Sequence, residues 1–328
     1  MKLEQVKKAQ SQELASLYET MFLVREVETT LSRLFADGEV PGFIHLSIGQ
    51  EAVSAGVASG LQAQDTLATT HRGHGHVLAR GMDVTAFFKE VMGRKGGLCK
   101  GRGGSMHVAD LSLGVLGANG IVGAGIPIAL GSAMAHRRLG NNGLAVAYFG
   151  DGAMAEGVLH ETLNMAALWK CPLLFVCENN GWSEFSPTAR QFAGTLKGLA
   201  DAFSISYETV DGNDVMQVST AARHAAVKLR AGEGPFVLEC ITHRVRGHFE
   251  GDPQKYREAL ELKEVHKYDP VERARGALGR LKIDTASIDE KIRSQVEEAV
   301  AAARRDEPPD FDEAITEVYT VVQQGDKE

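Results

Sequence analysis

The sequence predicts an α/β fold built on a mostly parallel, doubly wound sheet, with an N-terminal helix and a helical C-terminal region. Three observations carry this. Two short, continuous apolar runs, AVAYF at 145–149 and LLFVCE at 173–178, have the length and composition of strands. Between them Val158, Leu159, Leu163, Ala166, Ala167 and Trp169 recur at helical spacing, which makes a strand, a helix and a second strand. Two further strand patterns, at 207–210 and 236–241, enclose a helix pattern over 215–230. Strands joined by such crossovers run parallel, so the turns that follow them gather on one edge of the sheet, where ligands bind.

The composition bounds the rest. A chain of 328 residues with 44% hydrophobic content can bury one large α/β core with appendages. A net charge of −8 argues against nucleic acid or an anionic membrane as the main partner. The first residues, MKLEQVKKAQ, have no apolar stretch after their positive charges, so no secretory signal is expected. The longest apolar stretch, around 126–135, is too short and too interrupted to span a bilayer. Cys99, Cys171, Cys177 and Cys240 lack CxxC spacing, which suits reduced thiols and a cytoplasmic protein.

In chain order, Leu14, Leu17, Tyr18, Met21, Phe22, Leu31, Leu34 and Phe35 mark an amphipathic helix over 12–35. It packs on its own domain or reaches a partner. Gly38, Pro41 and Gly42 end it, and a second helix starts after Gly49. The expected division is an N-terminal helical arm at 1–40, an α/β domain at 41–254 and a helical region at 255–328. Residues 70–81, THRGHGHVLARG, read as a loop crowded with His71, Arg72, His74 and His76. Zinc is not expected there, because no nearby cysteine or carboxylate completes a four-ligand set. A glycine-spaced Arg/His loop suits an anion better, with the Arg72 fork facing phosphate oxygens.

Residues 93–131 are glycine-rich. No dinucleotide fingerprint follows a strand there, so NAD binding is not expected. The stretch 95–106 reads as a mobile loop over a site. The stretch 117–125 reads as a tight turn whose bare backbone can hydrogen-bond a flat ring, and 126–139 as a small-residue helix ending at Gly140. After the second strand come a loop over 181–196, a third strand, and a helix from 215 with Asp214 as N-cap. The fourth strand runs into a second Arg/His loop, THRVRGHFEGDP.

The chemistry concentrates in two turns. Gly150-Asp151-Gly152 follows the first strand of the pair, and Asn180 follows the second, 29 residues further on. A hard dication such as Mg²⁺ prefers oxygen ligands and keeps phosphate oxygens in its shell. One carboxylate, one amide oxygen and a backbone carbonyl fit that need. Gly150 and Gly152 leave room for a diphosphate, and a helix opening near Ala153 offers it free N–H groups.

With HLSIGQEA, HRGHGH, KGRGGSMH, GANGIVGAGIP, GDGAMAEG, LNMAALW, ENNGW and RGHFEGDP in order from about residue 14 to about 268, the chain resembles the alpha subunit of the thiamine diphosphate-dependent first component of 2-oxoacid and acetoin dehydrogenase complexes. The resemblance implies the thiamine diphosphate-binding fold and, as cofactors, thiamine diphosphate and Mg²⁺. It implies Asp151, the Asn180 side chain and the Trp182 carbonyl as metal ligands, with Trp182 where relatives mostly have tyrosine. Arg72, Arg244 and His248 would hold the diphosphate, Gly120 and Val122 the aminopyrimidine, and His45, His71, His107 and His248 would stand near the reacting end. It also implies a beta subunit in an α2β2 assembly, a lipoyl-bearing acyltransferase as acceptor, and a small-molecule substrate. His71 stands where pyruvate-type members have tyrosine, and Glu184 where oxo-acid members have an apolar side chain. A carboxylate there would repel an anionic oxo acid, which favours acetoin. Pyruvate, a branched-chain oxo acid, or half of a split transketolase are the alternatives.

Overall fold

The computed structural model describes residues 2–317. Strands β1 (Thr66–Ala68), β2 (Val115–Gly117), β3 (Ala145–Gly150), β4 (Leu173–Asn179), β7 (Ser206–Asp211) and β8 (Phe236–Ile241) form one sheet in the order β2-β1-β3-β4-β8-β7. Every pairing in it is parallel. Two-residue strands β5 (Trp182–Ser183) and β6 (Ser186–Pro187) form a small hairpin within the stretch read as loop. The sequence reading missed β1 and β2, which at three residues each are too short to show a period.

Alternate residues of the long strands face opposite layers, which is why their sequence is apolar without interruption. Val146 and Tyr148 of β3 and Leu174 and Val176 of β4 face the larger core, with helices α1 (Lys2–Ala36), α2 (Glu51–Ala58), α3 (His74–Ala79), α4 (Val84–Val91), α8 (Val215–Arg230), α10 (Pro270–Arg280) and α11 (Ala286–Arg305). Ala145, Ala147 and Phe149 face the smaller one, with α5 (Gly125–Leu139), α6 (Gly157–Leu168) and α7 (Leu196–Ala202). Two short helices, α9 (Ala259–Glu264) and α12 (Phe311–Thr316), complete the set. Asp214 caps α8 by accepting from the N–H groups of Met216 and Gln217, as its side chain predicts.

The N-terminal helix is longer than the pattern suggested, and from Leu14 to Leu34 its apolar side chains lie in the larger core. Of the two readings left open, packing on its own domain describes this segment. Val271, Leu278, Ile292 and Val296 of the C-terminal helices share the same core. Residues 318–328 of the expected C-terminal region lie outside the described residues.

The glycine-rich loop differs from its reading as a mobile segment. Glu90 of α4, fully buried, accepts from the N–H groups of Cys99 (2.6 Å), Gly101 (2.9 Å), Gly103 (2.7 Å) and Gly104 (3.1 Å). Here glycine provides close approach: a Cβ on Gly97 would lie 2.6 Å from Glu90 Oε2. Beyond α11, the Glu307 carbonyl accepts from Lys95 N (2.7 Å) and Asp306 from Gly96 N (3.0 Å), so the C-terminal segment straps the loop down. Glu90→Gln, which weakens a charge-assisted clamp without emptying it, is expected to cost about 1–2 kcal/mol. Hydrogen exchange should quicken at residues 99–104 before it does elsewhere; unchanged protection there would contradict the clamp.

Candidate functional site

A cavity of about 350 Å³ opens at the carboxyl ends of the strands. It lies where β1 and β3 are neighbours and their connections leave in opposite directions, the crevice that a doubly wound sheet offers to ligands. Thr69, His71 and Arg72 follow β1, Gly120 and Val122 follow β2, residues 150–153 close β3, Asn180 and Trp182 follow β4, and Arg244 and His248 follow β8. His45 and Gln50 come from the stretch leading into α2. His107 does not line the cavity: it is exposed, with its ring beside Gly120. Residues 151–155 form a 3-10 turn and α6 opens only at Gly157, so the helix start expected near Ala153 is displaced.

Asp151 and Asn180 share one end. Asp151, 1% exposed, accepts from the Thr188 hydroxyl and from Asn180 N (3.4 Å). Burial pushes its carboxyl up to about 6, against the pull of the Thr188 bond. Asn180 Oδ1 accepts from Trp182 N (3.1 Å), and its Nδ2 donates to Gln50 Oε1 (3.1 Å). That pair of bonds turns the amide oxygen toward the hairpin. A Cβ on Gly152 would lie 2.6 Å from Ser183 Oγ, so glycine lets the hairpin close over the turn. The Trp182 indole donates to Glu261 (2.9 Å), which also accepts from Arg257, fixing the tryptophan on the rim.

The other end gathers cations and imidazoles. Arg72 donates to the carbonyls of Leu46 and His248, both at 2.8 Å, and burial lowers it to about 9. Arg244 donates to the Glu184 carbonyl (3.3 Å) and to the Tyr256 hydroxyl (3.1 Å), and Tyr256 in turn donates to Asp252 (2.5 Å). Burial and then the Arg72 charge bring His45 down to about 3 and His248 to about 4, and hold His71 well below the usual range. All three imidazoles are therefore neutral at pH 7. Their ring centroids lie 4.6, 5.0 and 5.5 Å apart.

The run read as one Arg/His loop is split by the fold. Only His71 and Arg72 stay in the turn; His74 and His76 enter α3 and point inward. His76 Nδ1 bonds the Thr69 hydroxyl (2.6 Å). His74 Nδ1 bonds Glu28 (3.0 Å) and its Nε2 bonds Ser105 (2.7 Å), while Glu28 accepts from Ser47 N (2.9 Å) and Ser47 Oγ (2.6 Å). Sequence reasoning missed Glu28, Gln50, Thr188 and Tyr256 as parts of the site's support. Gln50 alone carried a signal, inside HLSIGQEA.

The residues present fit a phosphate-bearing cofactor. His45 Nδ1, Tyr148 OH, Arg244 Nε and His248 Nδ1 are buried on the cavity wall without a hydrogen-bond partner. Glu178 Oε1 stands 3.2 Å from His76 Nε2 but out of hydrogen-bond alignment. Unsatisfied groups at this density ask for a polar ligand. The oxygen donors at one end and the guanidinium at the other match a metal-bridged anion.

Comparison with known proteins agrees. Residues 19–311 match the family described as dehydrogenase E1 component. The acetoin:2,6-dichlorophenolindophenol oxidoreductase alpha subunit of Bacillus subtilis is 40% identical over 317 residues, 94% of each chain. Its namesake from Cupriavidus necator is 40% identical over 93% of this chain and 94% of its own. The pyruvate dehydrogenase E1 component subunit alpha of Rhizobium meliloti is 39% identical over 92% of this chain and 88% of its own. The family match and these alignments lead to one conclusion: the chain belongs to the dehydrogenase E1 component family.

Proposed function

We propose that the chain is the alpha subunit of a thiamine diphosphate-dependent dehydrogenase that cleaves acetoin and passes the acetyl unit to the lipoyl group of an acyltransferase. Family membership implies the cofactor, which when bound supplies a carbon nucleophile and an electron sink. Asp151, the Asn180 amide oxygen and the Trp182 carbonyl would hold Mg²⁺. Arg244, with Arg72 and His248 beside it, would bind the diphosphate, and the backbone at Gly120 and Val122 the pyrimidine. His45 and His71, uncharged at neutral pH, can hydrogen-bond the substrate hydroxyl and its carbonyl and so orient them. His107, on the rim, would act only if a partner brings the substrate to it.

The substrate reading starts from the imidazole end of the cavity. Arg72 donates to two carbonyls, Arg244 to the Glu184 carbonyl and the Tyr256 hydroxyl, and the three uncharged histidines offer hydrogen bonds to a neutral hydroxyketone. The observation that carries the choice of acetoin is the pair of acetoin-named relatives, each 40% identical over most of both chains.

A beta subunit, in an α2β2 assembly, would complete the site. Among the described residues there is one large sheet and no second of similar size. Ile121 (72% exposed), Val122 (47%) and Ile128 (47%) extend the cavity mouth as an apolar rim, and Gly131, with open space around it, allows close approach of a partner helix. No helix among the described residues is long and apolar enough to cross a membrane. Placement in the cytoplasm is part of the proposal and rests on four free cysteines, three of them buried.

The test is reconstitution with a beta subunit and an artificial electron acceptor. Acetoin should exceed pyruvate in kcat/KM by at least about tenfold, about 1.4 kcal/mol of transition-state discrimination, and the chain alone should not turn over. Preference for pyruvate would move the assignment to a 2-oxoacid dehydrogenase.

A further inference from the structure

We propose that Glu239 is a positioning residue for the metal end of the cavity: through Asn179 it fixes the turn that presents Asn180. Glu239 lies on β8 and Asn179 is the last residue of β4, two beyond Cys177, which pairs with Glu239 in the parallel register. With Phe175, Cys177 and Val237 on the same face of their strands, both side chains stand on the smaller-core side of the sheet. Asn179 Nδ2 donates to Glu239 Oε1 (2.7 Å), and the Tyr207 hydroxyl of β7 donates to the other carboxylate oxygen. None of the three side chains lines the cavity.

From there the bonds continue to both oxygen donors. Asn179 Oδ1 accepts from Gly181 N (3.2 Å) and Asn180 Oδ1 from Trp182 N (3.1 Å), two successive side-chain turns around Gly181, whose φ is +78°. The Gly181 carbonyl accepts from Thr188 N (3.0 Å), and the Thr188 hydroxyl donates to Asp151. An amide side chain has one accepting end and one donating end, and only the oxygen can meet the Gly181 N–H. Reversed, Asn179 would set its oxygen against the Glu239 carboxylate and its NH₂ against that N–H, like against like at both ends. Glu239 therefore selects one orientation of Asn179, and that orientation holds the backbone on either side of Asn180.

Packing alone does not ask for a carboxylate at this position. Glu28, Glu51 and Asp65 are buried beside His74, Arg25 and Arg230, but Glu239, 8% exposed, has two neutral donors instead. A carboxylate that offsets its desolvation with neutral donors holds them firmly, because a charge-assisted hydrogen bond is roughly twice as strong as a neutral one. Glu90 grips the glycine-rich loop in the same manner, through backbone N–H groups and no cation. The inference rests on reading Asn180 as a metal ligand; removing a group that orients a ligand from behind typically weakens metal binding by roughly 10- to 100-fold.

Two measurements on Glu239→Met test this. In the ligand-free, full-length chain, amide exchange over residues 180–188 should quicken at least about tenfold while β3 and β4 keep their protection. In the chain reconstituted with a beta subunit, Mg²⁺ titrated at a fixed, saturating level of thiamine diphosphate should bind at least about tenfold more weakly. Glu239→Gln keeps an acceptor for Asn179 and should return both values to within about threefold of wild type. If Glu239→Met does not fold, Asn179→Ser replaces it, since serine keeps an oxygen for Gly181 N and is too short to reach Glu239. Unchanged exchange over 180–188, equal quickening across the whole sheet, unchanged Mg²⁺ affinity beside quickened exchange, or no recovery with glutamine overturns the proposal. The exchange measurement needs no metal. A wild-type assembly without Mg²⁺-dependent binding would strike the reading of Asn180 as a ligand, and exchange would still decide whether Glu239 holds the turn.

Discussion

Asp151→Asn is expected to weaken Mg²⁺-dependent thiamine diphosphate binding by at least about 100-fold while leaving the ligand-free chain as stable as before, or more so, above pH 6. The second half follows from the sign of the proton balance. Burial raises this carboxyl from its ordinary 3.8 to about 6, so between those values the folded chain binds more protons than the unfolded one. Its contribution to stability therefore falls as pH rises through that window. The loss amounts to about 3 kcal/mol by pH 7 at the usual conversion for a shift of this size. An amide carries no such charge and keeps an oxygen for the Thr188 hydroxyl. A dication reverses the argument, because it needs the carboxylate and must displace the proton. Apparent metal affinity should then drop about tenfold per unit below pH 6. Calorimetric titration between pH 5 and 8, with melts of the ligand-free variant, measures both. Unchanged Mg²⁺-dependent affinity in the variant, or a lower melting temperature than wild type at pH 8, would sink this account of Asp151.

The central strands, and the turns that bring Asp151 and Asn180 to one cavity, were readable in the sequence because both are local. A strand covered on two faces is apolar residue by residue, as at β3 and β4, and Asp151 and Asn180 stand directly at the ends of those strands. The helix α8 was readable to its bounds, since Asp214 marks one end and the apolar period stops at the other. What failed was information held at a distance. The three-residue strands β1 and β2 are held by pairing, β1 between β2 and β3 and β2 at the edge of the sheet beside β1. The glycine-rich loop looks free in one dimension and is clamped by a carboxylate from a preceding helix. Histidine spacing at 71, 74 and 76 suggested one patch, but α3 turns two of the rings inward to partners that no local pattern announces.

Glu28→Ala should be the most destabilising single change in the support of the site, about 3–5 kcal/mol, although Glu28 lies on the N-terminal helix and does not line the cavity. Its fully buried carboxylate accepts from Ser47 N, Ser47 Oγ and His74 Nδ1, and His74 continues the chain to Ser105. Ser47 adjoins the segment that carries His45, His74 the turn with His71 and Arg72, and Ser105 the residue Met106 on the cavity wall. One buried anion thus ties three of the site's walls to α1, and truncation leaves a buried imidazole, a hydroxyl and an N–H without partners. Burial alone would raise this carboxyl; the His74 interaction and the Ser47 donors outweigh it and hold the group below 4.5. A depressed carboxylate stabilises above its unfolded value and loses that contribution as pH falls through it and below. The gap between wild type and Glu28→Ala should therefore be widest near neutral pH and shrink in acid. Urea midpoints at pH 7.5 and pH 4, with Glu28→Gln as the variant that keeps one acceptor, measure it. A gap equal at both pH values would mean that shape alone, and not the charge, holds these walls together.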